Sequence, residues 1–308
     1  MIDVIVPNYN GAALLPTCLD ALRAQTRRDA LVTVVDDAST DDSLALLAAR
    51  YPEVQVVALP RNRGLAAAVN AGIAATRRPF VALLNNDTEA HLAWLERLIG
   101  ALERFPAYAF AASKLLLFDR RDYLHSAGDF YRPDGEPGSR GVWERDRGQY
   151  DAVTEVFGPC AGAAAYRRAA LEALAEDGRV FDEDLGMYCE DVDLNLRARR
   201  RGMRTIFVPT AVVYHRLSAT GGGTLASYYC GRNFALVWAK NMPAPLARRY
   251  WPALLASQAR FALHSLRHIR EPAARARLRG QLAALRALPL FLRKRRRLQP
   301  DETLCLAP

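Results

Sequence analysis

The sequence predicts an α/β fold, with a mostly parallel sheet flanked by helices and then a helical extension. Three observations predict it. Short apolar, β-branched runs alternate with stretches of helical spacing up to about residue 110. The connections between them are short, as in βαβ units. Each apolar run ends in polar residues, which is where open α/β sheets bind ligands.

The elements follow in order. IDVIVP at 2–7 is a buried strand ended by Pro7. GAALLPTCLDALRAQT places Leu14, Leu15, Cys18, Leu19 and Leu22 on one side of a helix. LVTVVD at 31–36 is a second strand. It breaks at DDASTDDS, which can cap a helix starting near Ser43. VQVVAL at 54–59 is a third strand, and RNRG leads into the helix LAAAVNAGIAAT. FVALLNND at 80–87 is a fourth strand and AHLAWLERLIGAL a fourth helix. The polar strand ends, at 7–10, 36–40, 60–64 and 85–87, should share one edge of the sheet.

Beyond residue 110 the alternation weakens. AFAASKLLLF reads as a strand, and 119–150 as a long excursion rich in Gly, Pro and charge, either functional or mobile. VFGPCAGAAAYRRAALEAL supplies a strand, a tight turn and a helix. FDEDLGMYCEDVDLNLRARRRG holds a loop and a helix stopped by Gly202, and MRTIFVPTAVVYHRLSAT gives further strands. From Thr224 the pattern is helical, with breaks expected at Pro243, Pro245, Pro252, Pro272 and Pro289. The expected division is a domain at 1–240, with halves at 1–110 and 111–240, and a basic helical extension at 241–308.

Composition narrows the class. The chain of 308 residues is 51% hydrophobic and 24% charged, an ordinary globular balance. No apolar run is long enough to span a membrane. Five scattered cysteines without a CxxC pair suggest reduced thiols in a cytoplasm. The first residues enter a strand at once, so no targeting segment is expected. From residue 241 onward there are 14 Lys and Arg against 3 Asp and Glu, whereas the rest is nearly balanced. Such basic helices suit an anionic membrane surface or a nucleic acid, or form a solvated arginine-rich face.

The motifs, taken singly, keep two readings each. In DDASTDDS a carboxylate can accept from a base imide or a ribose hydroxyl, or the segment is only a turn and cap. Asp87 in LNNDT can ligate Mg²⁺ or Mn²⁺, or cap the next helix. RNRG offers backbone N–H groups to a diphosphate. The absence of GxGxxG and GxxxxGK[ST] takes the main support from the dinucleotide and P-loop readings. His215 stands without HExxH or a second histidine near it in sequence, so a zinc site is not expected; a carboxylate–imidazole site for Mn²⁺ stays open. In MYCEDVDLNLRARR, the acids Glu190, Asp191 and Asp193 precede arginines, which complements a helix dipole as well as it suits catalysis.

In order, VIVPNYNG, VVDDASTDDS, LPRNRGLAAAVNAGI, FVALLNNDT, GPCAGAAAYRR, FDEDLGMYCEDVDLNLRARRRG, VYHRLSAT and YYCGRNFALVWAKN resemble family-2 inverting glycosyltransferases of the GT-A fold, over roughly residues 1–241. The last four motifs look most like the bacterial rhamnosyltransferase-like branch. The resemblance implies a GT-A type nucleotide-binding sheet and a nucleotide-sugar donor, with dTDP-rhamnose expected and a UDP-hexose, UDP-N-acetylhexosamine or UDP-galactofuranose as alternatives. It implies a glycan or polyprenyl-linked glycan acceptor and Mn²⁺ or Mg²⁺ as cofactor.

Residue by residue, the resemblance puts Pro7, Tyr9 and Asn10 in the first nucleotide-contacting loop and gives Asp37 the pyrimidine imide. Asn62 and Gly64 would contact nucleotide and ribose. Asn85, Asn86 and Asp87 stand where the family has Asp-x-Asp, so Asn85 is a departure at the first acid. Asp87 and His215 would hold the metal. Asp191 would be the general base and Glu190 its neighbour, in contact with the acceptor. Arg232 and Asn233 would lie near the diphosphate. The expected location is cytoplasmic, on the inner face of the plasma membrane if the basic C-terminus binds lipid; that segment could instead form a homodimer contact. A nucleotidyltransferase would need a glycine-rich basic loop after the first strand, which PNYNGAALLP lacks. A non-catalytic nucleotide-binding protein remains the remote alternative, and a nucleic-acid binder leaves the polar strand ends unexplained.

Overall fold

A computed structural model describes residues 1–217 and 223–295. The end of the VYHRLSAT motif, at 218–220, and the last part of the basic extension, at 296–308, lie outside the described residues.

The first half alternates as the periodicity demands. It runs β1 (Ile2–Asn8), α1 (Leu15–Arg23), β2 (Ala30–Asp36), α2 (Ser43–Arg50), β3 (Gln55–Ala58), α3 (Leu65–Ala75) and β4 (Phe80–Leu84). A short β5 (Thr88–Ala90) and α4 (Trp94–Arg104) complete it. Then come β6 (Tyr108–Leu117), β7 (Leu124–Ser126), β8 (Asp129–Tyr131), β9 (Pro137–Ser139), β10 (Glu155–Val156) and β11 (Ala163–Arg167). The remainder is α5 (Arg168–Leu174), α6 (Glu190–Arg200), β12 (Arg204–His215), α7 (Gly223–Asn241), α8 (Ala244–Arg267) and α9 (Pro272–Arg295).

The main sheet has the order β10-β12-β6-β11-β4-β1-β2-β3, with β5 on β12 and β7 on β6. β1, β2, β3 and β4 pair in parallel, and so do β6 and β12. β11 is wedged between β4 and β6 antiparallel to both. One apolar layer packs α1, α2 and α4 on the sheet around Leu19, Leu47, Trp94 and Leu98. The other packs α3, α5 and α6 around Val69, Ile73, Leu171 and Leu194. The second half of the sequence thus adds a parallel strand beyond an antiparallel one, which short βαβ spacing alone did not indicate.

Two features differ from the sequence expectation. MRTIFVPTAVVYH forms one strand, β12, rather than several. The strand bulges between Val208 and Val212, where pairing to β6 jumps from Ser113 to Lys114. Pro209 sits in that bulge, where no ladder N–H is required. Pro252 and Pro289 do not break the C-terminal helices but lie inside α8 and α9. Both prolines are exposed, so the helical carbonyl that each leaves unpaired can reach water.

α7 and α9 cross at backbone distance. A Cβ on Gly280 would stand 2.1 Å from the Tyr228 carbonyl oxygen, and one on Gly231 would stand 2.5 Å from that of Arg277. Only glycine permits this approach. We therefore expect Gly280→Ala to destabilise the fold by about 1–3 kcal/mol, despite alanine's better helix propensity. Gly100, within α4, has nothing within 4 Å of its would-be Cβ. Gly100→Ala should stabilise by about 0.5–1 kcal/mol. Urea unfolding of the two variants checks both signs.

Candidate functional site

The carboxyl ends of β1, β2 and β4 meet through side chains. Asn8, at the end of β1, donates from Nδ2 to Asp36 Oδ1 (3.0 Å), and its Oδ1 accepts from Asn86 Nδ2 (2.8 Å). Gly11 makes room for this pair, since a Cβ there would fall 2.2 Å from Asn8 Oδ1 and 2.3 Å from Asn86 Nδ2. Pro7 is buried in β1 opposite Val35, and Tyr9 is exposed at the rim. Asn10 donates from its backbone N–H to Ser39 Oγ (2.8 Å) and accepts the Thr40 N–H on Oδ1 (2.7 Å).

Asp37 is buried and accepts the backbone N–H groups of Arg63 and Gly64, each at 2.8 Å. It thereby ties the end of β2 to the start of α3. Gly64 has φ +86° and a would-be Cβ 3.4 Å from the Gly186 carbonyl oxygen. Arg63 reaches Glu183 Oε2 at 2.7 Å. The 61–64 loop, which carries exposed Asn62, therefore abuts the loop that precedes α6.

The β4 end continues through Asn85, Asn86 and Asp87. The Asn85 backbone N–H donates to the Gly162 carbonyl (2.9 Å), and its own carbonyl accepts from Thr88 Oγ1 (2.6 Å). Buried Asp87 has Oδ1 3.1 Å from Nε2 of His215, because β5 and β12 pair Thr88 with His215. Asp87 and His215 thus form one buried carboxylate–imidazole pair. An oxygen and a nitrogen donor side by side fit Mn²⁺ or Mg²⁺.

His125, on β7, is the second histidine that the local sequence did not reveal. Its Nδ1 lies 2.9 Å from His215 Nδ1. Burial, and then the neighbouring His215, push its imidazole down to about 3.

The start of α6 is unusual. Tyr188 and Cys189 take left-handed backbone conformations, φ 63° and 69°. The preceding carbonyls of Leu185, Met187 and Tyr188 all accept from Asn233 Nδ2, at 3.0, 3.0 and 2.7 Å. Arg232 donates to the Leu185 and Asp184 carbonyls and to Asn233 Oδ1. The Arg-Asn pair that the resemblance puts near a diphosphate therefore grips the turn carrying Glu190 and Asp191.

The three carboxylates of MYCEDVD separate by environment. Asp191 accepts the Ala161 N–H on Oδ2 (3.2 Å) and the Val192 N–H on Oδ1 (2.8 Å). Burial raises it above the ordinary carboxylate range. Glu190 is raised by burial and by Asp191, and its Oε2 has no hydrogen-bond partner among the described residues. Asp193 is fully buried. Burial opposes its charge, yet Lys240, Arg197 and Asn241 outweigh that and hold it below the usual range. The turn 160–162 touches both regions: Ala161 donates to Asp191, and Gly162 accepts from Asn85.

Asp129, on β8, is a further residue missed in the sequence. Ser126 and Ser139 both donate to its Oδ1, at 3.0 and 2.7 Å. Its carboxyl, Cys160 Sγ and the Asp191 carboxyl lie within 4.8 Å of one another. Burial, then the Asp191 charge, lift Asp129 to about 7. The only sequence signal for Asp129 and His125 was the length of the 119–150 excursion.

Residues 3–175 match the glycosyl transferase family 2 model. An N-acetylglucosaminyl-diphospho-decaprenol L-rhamnosyltransferase of Mycobacterium tuberculosis is 28% identical over 254 residues, covering 72% of this chain and 78% of the relative. A pre-mycofactocin glycosyltransferase of the same species is 29% identical over 226 residues, 70% of this chain and 42% of that protein. Among solved structures, the mannosyltransferase PcManGT from Pyrobaculum calidifontis, in complex with GDP-Man and Mn²⁺, superposes with a TM-score of 0.58 at 20% identity. It covers 96% of this chain and 84% of its own.

Asp129 generates a stability prediction. Its carboxyl is raised from about 4 in the unfolded chain to about 7 in the fold. The fold thus favours the protonated form, and stability falls as pH rises between those values. Asp129→Asn mimics the protonated acid. Its Tm should exceed that of the wild type by a gap that opens above about pH 4, is full above about pH 7 and is flat beyond. Melting curves across that range check it.

Proposed function

The chain belongs to glycosyl transferase family 2 and is a glycosyltransferase with a GT-A fold; from that premise we propose that it is an inverting enzyme transferring rhamnose from dTDP-rhamnose to a hydroxyl of a polyprenyl-linked glycan. The observation that carries the reading is the bridge between the half-buried Asp191 and the buried Asp87–His215 pair. One turn, 160–162, contacts both the base candidate Asp191 and the strand end that leads to Asp87 and His215.

In this reading the nucleotide lies across the ends of β1, β2 and β4, along Pro7, Tyr9, Asn10, Asp37, Asn62, Gly64, Asn85 and Asn86. Asp87 and His215 would hold a divalent ion, whose charge would offset that of the departing diphosphate. Asp191 takes the proton of the acceptor hydroxyl as it attacks the anomeric carbon. Burial raises its proton affinity, which strengthens it as a base. Its two backbone N–H donors fix the carboxylate plane. One displacement assisted by one base inverts the anomeric centre. Glu190, with an unpartnered buried oxygen, faces the acceptor. Arg232 and Asn233 serve the diphosphate indirectly, through the turn that they hold.

The acceptor class rests on the named activity of the 28% identical relative. The C-terminal surface supports a lipid-borne acceptor. No helix among the described residues is long and apolar enough to cross a membrane. Instead α8 and α9 expose Trp251, Leu255, Leu263, Leu266, Leu282 and Leu285 among many arginines. Apolar side chains ringed by cations suit an anionic leaflet.

Asp191→Asn should abolish transfer while keeping the fold and the nucleotide affinity; near-normal turnover would remove Asp191 as base. EDTA should stop transfer and Mn²⁺ or Mg²⁺ restore it; full activity in chelator would exclude Asp87 and His215 from the role given. In a thermal-shift screen with Mn²⁺, dTDP-rhamnose should stabilise the protein most; a larger shift with a UDP-sugar would replace the donor. Leu282→Glu with Leu285→Glu should reduce flotation with anionic liposomes; unchanged binding would place lipid contact elsewhere.

A further inference from the structure

We infer that His125 is a positioning residue that fixes the proton of His215 so that Nε2 of His215 presents its lone pair to a divalent ion. The inference rests on the reading of His215 as a metal ligand. It adds a residue from a different part of the chain, ninety positions earlier and on a different strand.

The geometry leaves little freedom. His215 Nε2 faces Asp87 Oδ1 at 3.1 Å, and His215 Nδ1 faces His125 Nδ1 at 2.9 Å. The two nitrogens of an imidazole point to opposite sides of the ring, so His125 stands behind His215 as seen from Asp87. His125 is therefore not placed to ligate the same ion through Nδ1. Two Nδ1 atoms at that distance hold one proton between them. A metal on Nε2 requires the His215 proton on Nδ1, and that N–H needs an acceptor in a buried place. His125 Nδ1 is that acceptor, so His125 must carry its own proton on Nε2. Without a metal, Nε2 faces a carboxylate, an arrangement that is a hydrogen bond only when Nε2 carries the proton. Loading the site thus moves the His215 proton from Nε2 to Nδ1, and the tautomer of His125 must accommodate it.

The fold holds the pair tightly. β7 pairs with β6, and β6 pairs in parallel with β12, matching Leu117 to His215 and Leu116 to Leu124. His125 follows Leu124 directly, so the sheet places the two rings side by side, with centroids 4.8 Å apart. The orienting partner is an imidazole rather than a carboxylate, and so it can accept the proton without adding a buried negative charge.

The test needs no sugar substrate. Mn²⁺ binding is followed by electron paramagnetic resonance, with Mn²⁺ alone and with Mn²⁺ plus dTDP, in the wild type and in His125→Phe, His125→Asn and His215→Ala. We expect His125→Phe, which keeps the ring volume but has no nitrogen, to weaken Mn²⁺ binding by roughly 10–100-fold. His125→Asn, whose Oδ1 can accept near the Nδ1 position, should recover most of it. Imidazole ¹⁵N spectra of the protein with Mg²⁺ and dTDP should show the His215 proton on Nδ1 and the His125 proton on Nε2. Wild-type Mn²⁺ affinity in His125→Phe, a loss that His125→Asn fails to recover, or a loaded His215 protonated on Nε2 overturns the inference. Undiminished Mn²⁺ binding in His215→Ala instead overturns the ligand reading on which it rests. Melting temperatures separate either result from failure to fold.

Discussion

Asp193 sits fully buried with the Lys240 ammonium 3.0 Å away, Arg197 at 2.9 Å and the Asn241 amide at 2.7 Å. This cluster joins α6 to the end of α7. Lys240 also meets Asp182 and Glu176, each at 2.9 Å, and Lys294 of α9 pairs with Asp182 and Asp184. Removing one member would leave an uncompensated charge in the interior, a loss of about 3–5 kcal/mol in comparable pairs. The position of α6, and with it Asp191 two residues earlier, depends on that network. The C-terminal helices are thus bound into the mount of the candidate base.

A second mount is built from backbone. The carbonyls gathered by Asn233 keep Tyr188 and Cys189 in left-handed conformations, at a cost that the rest of the structure covers. That kink lets α6 begin abruptly, with buried Glu190 and half-buried Asp191 at its first positions. A helix N-terminus ordinarily favours negative charge. Here burial outweighs it and leaves Glu190 and Asp191 raised. The same four-residue run therefore contains carboxyls pushed in opposite directions, according to whether a cation is within reach.

The alternation of strands and helices through α4 was legible because each element buries one face, and burial writes its period into the sequence. The polar strand ends were legible for the same reason, since a polar residue ending an apolar strand stands out. Asp87 and His215 were read as partners only through resemblance, and β5 paired with β12 supplies their contact. His125 and Asp129 were not legible. They lie in strands of three residues each, too brief for a periodic pattern, and each acquires meaning only beside His215 or Asp191. The arginines after Asp193 read from the sequence as complements to a helix dipole, but Arg197 is buried against the Leu174 and Val180 carbonyls. A charged residue's partners are distant in sequence and leave no local trace.

By itself, the sequence determined the α/β class, the order of the motifs and the chemical types available at the sheet edge. Those follow from local periodicity and from residue identity. Only the tertiary structure decided which of three adjacent acids is bound to cations and which two stand raised, which histidine backs another, and that α9 closes on α7 through two glycines. Such outcomes depend on desolvation and on pair distances across the fold, and neither quantity exists until the chain has packed.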